Sequence, residues 1–359
     1  MKNIAFLIYD TSLMGGAEKV SINLANSLGE TYNVTIISLF QEKGEPFFEI
    51  SENCKHTVIS RKLQSITKNI FSLKNNVKKI LKENNIDILF SVTPGIVSVG
   101  VLATLGTKVS HVFCEHSNLE NQTYGKKHLL RQYIGAKFSN EIVVLTQRDK
   151  KNYINKFKIK EEKIKVIANS FNATELNEDY NINSKIIVSL GRLKTVKGYD
   201  RLIQVAKKVF EKNKDWQWYI YGDGDEENNI RRDIKVNNLE DFVKLKGVTK
   251  NPLEVMKDAS FLVMTSYYEG IPLTLLEAQA ARLPLVSFDC PTGPGEIIKD
   301  NENGYLIDNG NIGQMADKIN DLITDEEKRV YFSNNSQKYL CEFSEESILK
   351  KWVEIIEKY

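Results

Sequence analysis

The stretch I-I-V-S-L-G-R-L-K-T-V-K-G-Y-D, residues 186–200, decides the fold. It opens on a short apolar run, breaks at Gly191 and passes through a cationic turn into a helical pattern. An apolar run without polar alternation reads as a strand covered on both faces, the habit of parallel sheets. The same unit recurs along the chain. Upstream, 4–9, 34–39, 86–92, 111–115 and 142–146 read as strands, with a helix over 17–28 after the first. Downstream, 216–221, 243–245, 261–264 and 284–288 continue the series. Strands alternating with helices predict an α/β chain of doubly wound, Rossmann-like parallel sheets.

The alternation lapses once, in N-S-F-N-A-T-E-L-N-E-D-Y-N-I-N-S, residues 169–184, which is rich in Asn and acid and reads as a linker. A chain of 359 residues carries a prior of two domains. The expected division is 1–170, 171–342 and a terminal segment 343–359, where Ile348, Trp352 and Ile355 fall at helical spacing. Charge divides at the linker. Lys and Arg number 49 against 47 Asp and Glu, so the formal net charge of +2 excludes a whole-chain cationic field of the kind that binds nucleic acid. Residues 1–170 carry +9 and residues 171–359 carry −7. Much of the excess lies in the segment from Arg61 to Lys82, with seven basic residues and no acid. Its Leu63, Ile66, Ile70, Leu73, Val77, Ile80 and Leu81 recur mostly at three and four, which predicts an amphipathic helix with a basic face. That face is either simply solvated or drawn to an anionic membrane surface. A second basic group is Lys126, Lys127, Arg131 and Lys137.

The four cysteines, at 54, 114, 290 and 341, show no C-x-x-C spacing and read as reduced thiols. The first ten residues resemble a signal peptide only superficially, because Asp10 breaks the apolar run. No stretch approaches the ~18 apolar residues of a spanning helix. The expected location is the cytoplasm, with peripheral attachment to the inner face of the membrane.

Three motifs carry chemistry. The first, T-S-L-M-G-G-A-E, residues 11–18, places Gly15 and Gly16 between a strand and a helix whose free N–H groups suit an anion. A plain tight turn is the alternative. The dinucleotide fingerprint G-x-G-x-x-G is absent. The second, S-L-G-R-L-K-T-V-K-G-Y-D, sets Arg192 and Lys197 beyond the carboxyl end of a strand, where open α/β sheets bind ligands. A planar guanidinium and an ammonium there suit a diphosphate, and surface charge is the alternative. The third, Y-E-G-I-P-L-T-L-L-E-A, residues 268–278, puts Glu269 in a loop and Glu277 inside an apolar helix start. A carboxylate among leucines needs hydrogen-bond donors, from ligand hydroxyls or from backbone or a lysine. The amides of Gly270, Ile271, Leu273 and Thr274, but not Pro272, would form an anion-binding terminus. One D-G-D, at Asp223 and Asp225, reads as a strand–helix turn with Gly222 and Gly224, not as a metal site.

Together, G-G-A-E, E-H-S-N, G-R-L-K-T-V-K-G, E-G-I-P-L-T-L-L-E and D-C-P-T-G-P-G-E-I-I resemble the retaining glycosyltransferases of family four, across essentially the whole chain. The resemblance implies the GT-B fold, two Rossmann-like domains facing a central cleft. The last motif looks like the subgroup that builds bacterial surface glycans on lipid carriers, although the sixth residue after Asp289 is Gly295 where that subgroup more often has Ser. By the resemblance, Arg192 and Lys197 hold the donor diphosphate, Glu277 the ribose hydroxyls and Glu269 the donor sugar. The amides around Gly270–Thr274 and the loop of Gly15 and Gly16 approach phosphate, and His116 approaches the sugar. A satisfied turn histidine is the plain alternative for His116. The resemblance also implies transfer from a nucleotide-sugar, UDP foremost, to a lipid-linked or glycan acceptor, with retention, without cofactor or bound metal. A terminal helix packed back on the first domain belongs to the same implication. Two competing readings are a non-catalytic GT-B partner subunit and a GT-B sugar-nucleotide epimerase. The complete set of Glu269, Glu277, Arg192 and Lys197 argues against the first, and the E-H-S-N and G-R-L-K-T-V-K-G elements against the second.

Overall fold

The computed structural model describes residues 1–120, 125–171 and 180–359. The middle of the expected linker, 172–179, lies outside the described residues. The chain forms two compact units, one of Met1–Ser170 with Glu345–Tyr359 and one of Phe171–Ser344.

In the first unit the strands are β1 (Asn3–Asp10), β2 (Asn33–Phe40), β3 (Cys54–Ser60), β4 (Ile88–Val92), β5 (Ser110–Cys114), β6 (Glu141–Val144) and β7 (Ile164–Val166). The helices are α1 (Gly16–Leu28), α2 (Ile66–Glu83), α3 (Pro94–Thr104), α4 (Lys126–Phe138) and α5 (Gln147–Phe157). The second unit has β8 (Ile186–Leu190), β9 (Gln217–Tyr221), β10 (Val243–Gly247), β11 (Phe261–Met264), β12 (Leu285–Phe288) and β13 (Gly304–Ile307). Its helices are α6 (Tyr199–Val209), α7 (Glu227–Val236), α8 (Pro252–Lys257), α9 (Leu273–Ala280), α10 (Pro294–Ile297), α11 (Ile312–Thr324) and α12 (Glu326–Ser336). The final helix, α13 (Glu345–Lys358), belongs to the first unit.

Among the described residues both sheets are parallel, in the orders β3-β2-β1-β4-β5-β6-β7 and β10-β9-β8-β11-β12-β13. β1 shows why its run is apolar throughout. Ile4, Phe6 and Ile8 pack into a core shared with α1 and α13, while Ala5 and Leu7 pack into one shared with α2 and α3. Both faces are covered, so both sets of alternate residues are buried.

The sequence reading missed β3, β7 and β13, each at an edge of its sheet. An edge strand has one neighbour and keeps polar residues, as C-K-H-T-V-I-S in β3 does, so its pattern is weak. The basic segment also needs correction. The helix begins at Ile66, with the Ser65 hydroxyl capping the Lys68 N–H, so Arg61, Lys62 and Leu63 precede it. Leu63 is exposed, whereas Leu73, Val77 and Leu81 are buried as the spacing required.

α13 completes the first core. Trp352 meets Phe90 edge to face at 5.5 Å, and Ile348, Ile355 and Ile356 are buried beside it. Polar ties surround the contact. Tyr32 donates to Glu357 Oε1 at 2.7 Å, Lys2 Nζ to the Ile356 carbonyl at 2.7 Å, and Lys358 pairs with the buried Glu141.

Candidate active site

In the second unit the strand order reverses between β8 and β11, and the loops that follow these two strands leave their carboxyl ends side by side. Such switch points are where open α/β sheets leave a crevice for ligands.

The loop after β8 is fixed residue by residue. The Gly191 N–H donates to the Tyr221 carbonyl at 3.0 Å and the Leu193 N–H to that of Asp223 at 2.6 Å, leaving Arg192 exposed between them. Gly222 permits this close approach: a Cβ there would stand 1.9 Å from the Gly191 oxygen, and its φ of +147° is one that other residues rarely adopt. A short turn, Thr195–Lys197, then leads to Gly198 in the left-handed region (φ +65°). A Cβ on Gly198 would meet the Thr265 carbonyl oxygen at 2.2 Å, and the Thr265 hydroxyl donates to the Gly198 carbonyl at 2.9 Å. The turn carrying Lys197 is thereby fastened to the end of β11.

That fastening brings Lys197 to Glu269. The ammonium donates to Glu269 Oε1 at 2.7 Å, and the Ser266 hydroxyl donates to the same oxygen at 2.6 Å. The Glu269 side chain is 10% exposed and that of Lys197 26%. Two residues 72 positions apart thus form one half-sheltered ion pair at the switch point. Behind it, the Tyr199 hydroxyl donates to the Gly191 carbonyl at 3.0 Å, and burial, then the Glu269 charge, push its pKa well above the usual phenol range. The same two causes, in the same order, raise that of the buried Cys290 thiol.

A cleft of about 210 Å³ opens beside this turn, lined by Gly191, Tyr221, Asp223, Thr249, Thr274 and Glu277 among others. Glu277 sits in the second turn of α9, half-buried. Leu273 and Thr274 open the helix behind Pro272, and the buried Ile271 anchors the loop before it. Gly222 and Asp223 of the D-G-D turn face the same cleft. Among the described residues, no cluster of three or more His, Cys, Asp or Glu could hold a metal ion.

The first unit carries the remaining predicted residues, on loops after its own strands. Gly15 caps α1, and Glu18 of the first turn folds back over it. Burial raises the Glu18 pKa, opposed by a hydrogen bond from its own backbone N–H and aided by the charge of Asp10. A Cβ on Gly16 would meet nothing within 4 Å. His116 follows β5, half-buried, and burial pushes its pKa down to about 4, so its ring is neutral at pH 7. The loop that carries it is supported by Glu115. That buried carboxylate accepts the Ser117 N–H at 2.8 Å, Gln132 Nε2 at 2.9 Å and the Tyr153 hydroxyl at 2.5 Å.

The sequence reading did not single out Ser266 or Glu115 as site residues. Glu115 stood in plain view within E-H-S-N, and Ser266 three residues before Glu269 at a strand end. Neither type advertises a supporting role until its partners are known.

The chain matches glycosyl transferases group 1 over residues 172–339 and glycosyltransferase family 4 over residues 14–175. It is 30% identical to an uncharacterized glycosyltransferase of Haemophilus influenzae, over 99% of this chain and 100% of that protein. Identity is 32% to the poly(ribitol-phosphate) alpha-N-acetylglucosaminyltransferase of Staphylococcus aureus, over 91% of this chain and 68% of that one. The structure of HepE from Anabaena in complex with UDP superposes with a TM-score of 0.83 at 19% identity, covering 100% of both chains, a likeness of fold. With full-length relatives on one side and two Rossmann-like parallel sheets on the other, the chain belongs to the glycosyltransferases of family four, with the GT-B fold.

Proposed function

We propose that the protein transfers a hexose or N-acetylhexosamine from a nucleotide-sugar, UDP foremost, to a lipid-linked or glycan acceptor in bacterial surface-glycan synthesis, with retention and without a bound metal. The observation that carries this reading is the Lys197–Glu269 pair at the β8/β11 switch point, beside the cleft lined by Glu277. In that place a cation and two carboxylates suit a donor with a diphosphate at one end and hydroxyls on both sugars. Relatives support the acceptor class. One is the N-acetylgalactosaminyltransferase of Campylobacter jejuni that is named for a PP-undecaprenol-linked glycan, 26% identical over 99% of this chain and 98% of that one.

In the proposed reaction Arg192 and Lys197 stabilise the charge that grows on the leaving diphosphate as the glycosidic bond breaks, a role of positioned cations that needs no metal. The amides of Gly270, Ile271, Leu273 and Thr274, and the loop of Gly15 and Gly16, are assigned to phosphate. Glu277 accepts hydrogen bonds from the ribose hydroxyls. Glu269 accepts them from the donor sugar and orients its ring. His116, neutral at pH 7, is assigned to a sugar hydroxyl. The leaving phosphate oxygen takes the acceptor's proton as the new bond forms on the same face.

A membrane surface is the second partner in this reading, with the protein on the cytoplasmic side. α2, α3 and α4 pack side by side on one face of the first sheet. Along α4 the residues Lys126, Leu130, Tyr133 and Lys137 fall on one solvent-facing stripe, with Leu130 57% exposed. Phe71 stands out of α2 at 72% exposure among its lysines. Cations interleaved with exposed apolar side chains fit an anionic lipid interface better than bulk water.

The test is calorimetric titration with UDP, GDP and dTDP, then sugar release from the matching nucleotide-sugars with and without EDTA. Binding of UDP with EDTA-resistant turnover is expected, abolished by Glu269→Ala. Interconversion of UDP-sugars without transfer would instead establish the epimerase reading.

A further inference from the structure

The D-C-P-T-G segment, residues 289–293, and Ser266 have no part in the proposed chemistry, yet both converge on Glu269. The Ser266 hydroxyl, on a residue 1% exposed, donates to Glu269 Oε1 at 2.6 Å, the oxygen that also takes the Lys197 ammonium. The main chain of Glu269 is held in both directions: its N–H donates to the Pro291 carbonyl at 2.7 Å, and its carbonyl accepts the Thr292 N–H at 2.9 Å. Gly293 packs so closely that a Cβ would stand 1.7 Å from the Gly270 oxygen. On the other flank the Tyr267 N–H donates to the Val196 carbonyl at 2.8 Å, and the Arg201 guanidinium lies 3.6 Å from the Tyr267 ring centre.

A loop between a strand and a helix is ordinarily the mobile part of an α/β unit. This one is stitched to two neighbouring loops, and its carboxylate receives two donors on one oxygen. Such an arrangement fixes the orientation of the carboxylate before any ligand arrives, which is what a group contacting the donor sugar in the transition state needs.

We infer that Ser266 is a positioning residue for Glu269, and that 291–293 is the backbone brace that keeps this carboxylate aimed while the donor binds and leaves. The inference rests on the reading of Glu269 as a sugar contact. It separates Ser266 from the residues that hold the nucleotide: losing its hydroxyl removes one of the donors that aim the carboxylate and leaves the 210 Å³ cleft intact.

The experiment uses the full chain with Ser266→Ala and the near-isosteric Ser266→Cys, whose S–H is a weak donor. Sugar release from UDP-glucose and UDP-N-acetylglucosamine gives kcat and KM, and calorimetry with UDP gives affinity. Both variants are expected to lose about tenfold in kcat, the worth of one hydrogen bond to a charged group, with KM and UDP affinity within about twofold of the parent. A fall in UDP affinity equal to the fall in kcat/KM would overturn the inference by making Ser266 part of the scaffold. Melting temperatures supply an arm independent of turnover: the loss caused by Ser266→Ala should vanish in a Glu269→Ala background, where the hydroxyl has no carboxylate to hold. An equal loss in both backgrounds would refute the coupling. Should the parent neither bind UDP nor release sugar, the proposed function fails, and the melting cycle still decides whether Ser266 holds Glu269.

Discussion

Replacing Lys197 by Met keeps the length of the side chain and removes its charge, and the structure fixes what that should cost. At 2.7 Å the gross attraction to Glu269 is about 6 kcal/mol at an effective dielectric near 20. Most of it is offset by the desolvation of both groups, whose side chains keep only 26% and 10% of their exposure. Once the ammonium is gone, Glu269 retains the Ser266 hydroxyl but loses the cation that faces its half-sheltered charge. Breaking a buried pair on one side costs ~3–5 kcal/mol, and the water that reaches this one lowers the expectation to about 2 kcal/mol. For a unit of this size that is a fall of roughly 6 °C in melting temperature. Transfer should fall by about two to three orders of magnitude, the scale of a lost electrostatic contact to developing charge. The double variant Lys197→Met with Glu269→Gln separates the two effects. It also removes the carboxylate charge that the ammonium had faced, so most of the stability returns, while activity stays lost. Differential scanning calorimetry and initial rates of sugar release are the assays. If Lys197→Met turns over within a few-fold of the parent, the site is misassigned. If the double variant melts no higher than the single one, the ion pair is not what Lys197 contributes.

Three further outcomes follow from other parts of the molecule. Trp352→Ala should cost about 3–4 kcal/mol in urea unfolding, because its ring is buried against Phe90. Leu130→Ser with Tyr133→Ser should weaken binding to anionic vesicles by more than about tenfold while leaving every lysine in place. Unchanged sedimentation with those vesicles would remove α4 from the membrane surface. His111 is buried between the Ser91 and Ser139 hydroxyls, and burial, then the charge of Lys163, push its pKa down to about 3. The unfolded chain binds this proton below about pH 6.5 and the folded chain does not, so stability should fall as pH drops from 6.5 toward 3. Between pH 7 and 5 the parent should lose about 2 kcal/mol more than His111→Gln. Equal losses would show that this ring does not stay neutral.

The central strands were legible in the sequence because burial on both faces leaves one solution, an unbroken apolar run such as I-A-F-L-I in β1. The edge strands β3, β7 and β13 were not, because β3 and β7 keep polar residues toward solvent, and the four residues of β13 follow directly on a turn. At the site, Arg192, Lys197, Glu269 and Glu277 were legible as residue types at strand–helix junctions. The pairing of Lys197 with Glu269 was not, since it depends on β8 and β11 becoming neighbours across 72 residues. Ser266 and the 291–293 brace were hidden for the same reason: a serine or a Pro-Thr-Gly run acquires its purpose only from the loop that the sheet order sets beside it. The exposed apolar stripe of α4 escaped because the sequence shows its basic residues, and only burial of the opposite face shows which apolar residues stay outside.

The return of α13 to the first unit makes the second unit an insertion within the first, entered at Phe171 and left at Ser344. The face bearing Ile4, Phe6 and Phe90 therefore takes part of its cover from Trp352 and its neighbours, which follow the whole second unit in the sequence. The second unit has a core of its own, whereas the core of the first closes only with α13 in place. Removing α13 should therefore leave the second unit's own core in place and strip cover from the first, so the integrity of the first unit depends on chain from both sides of the second.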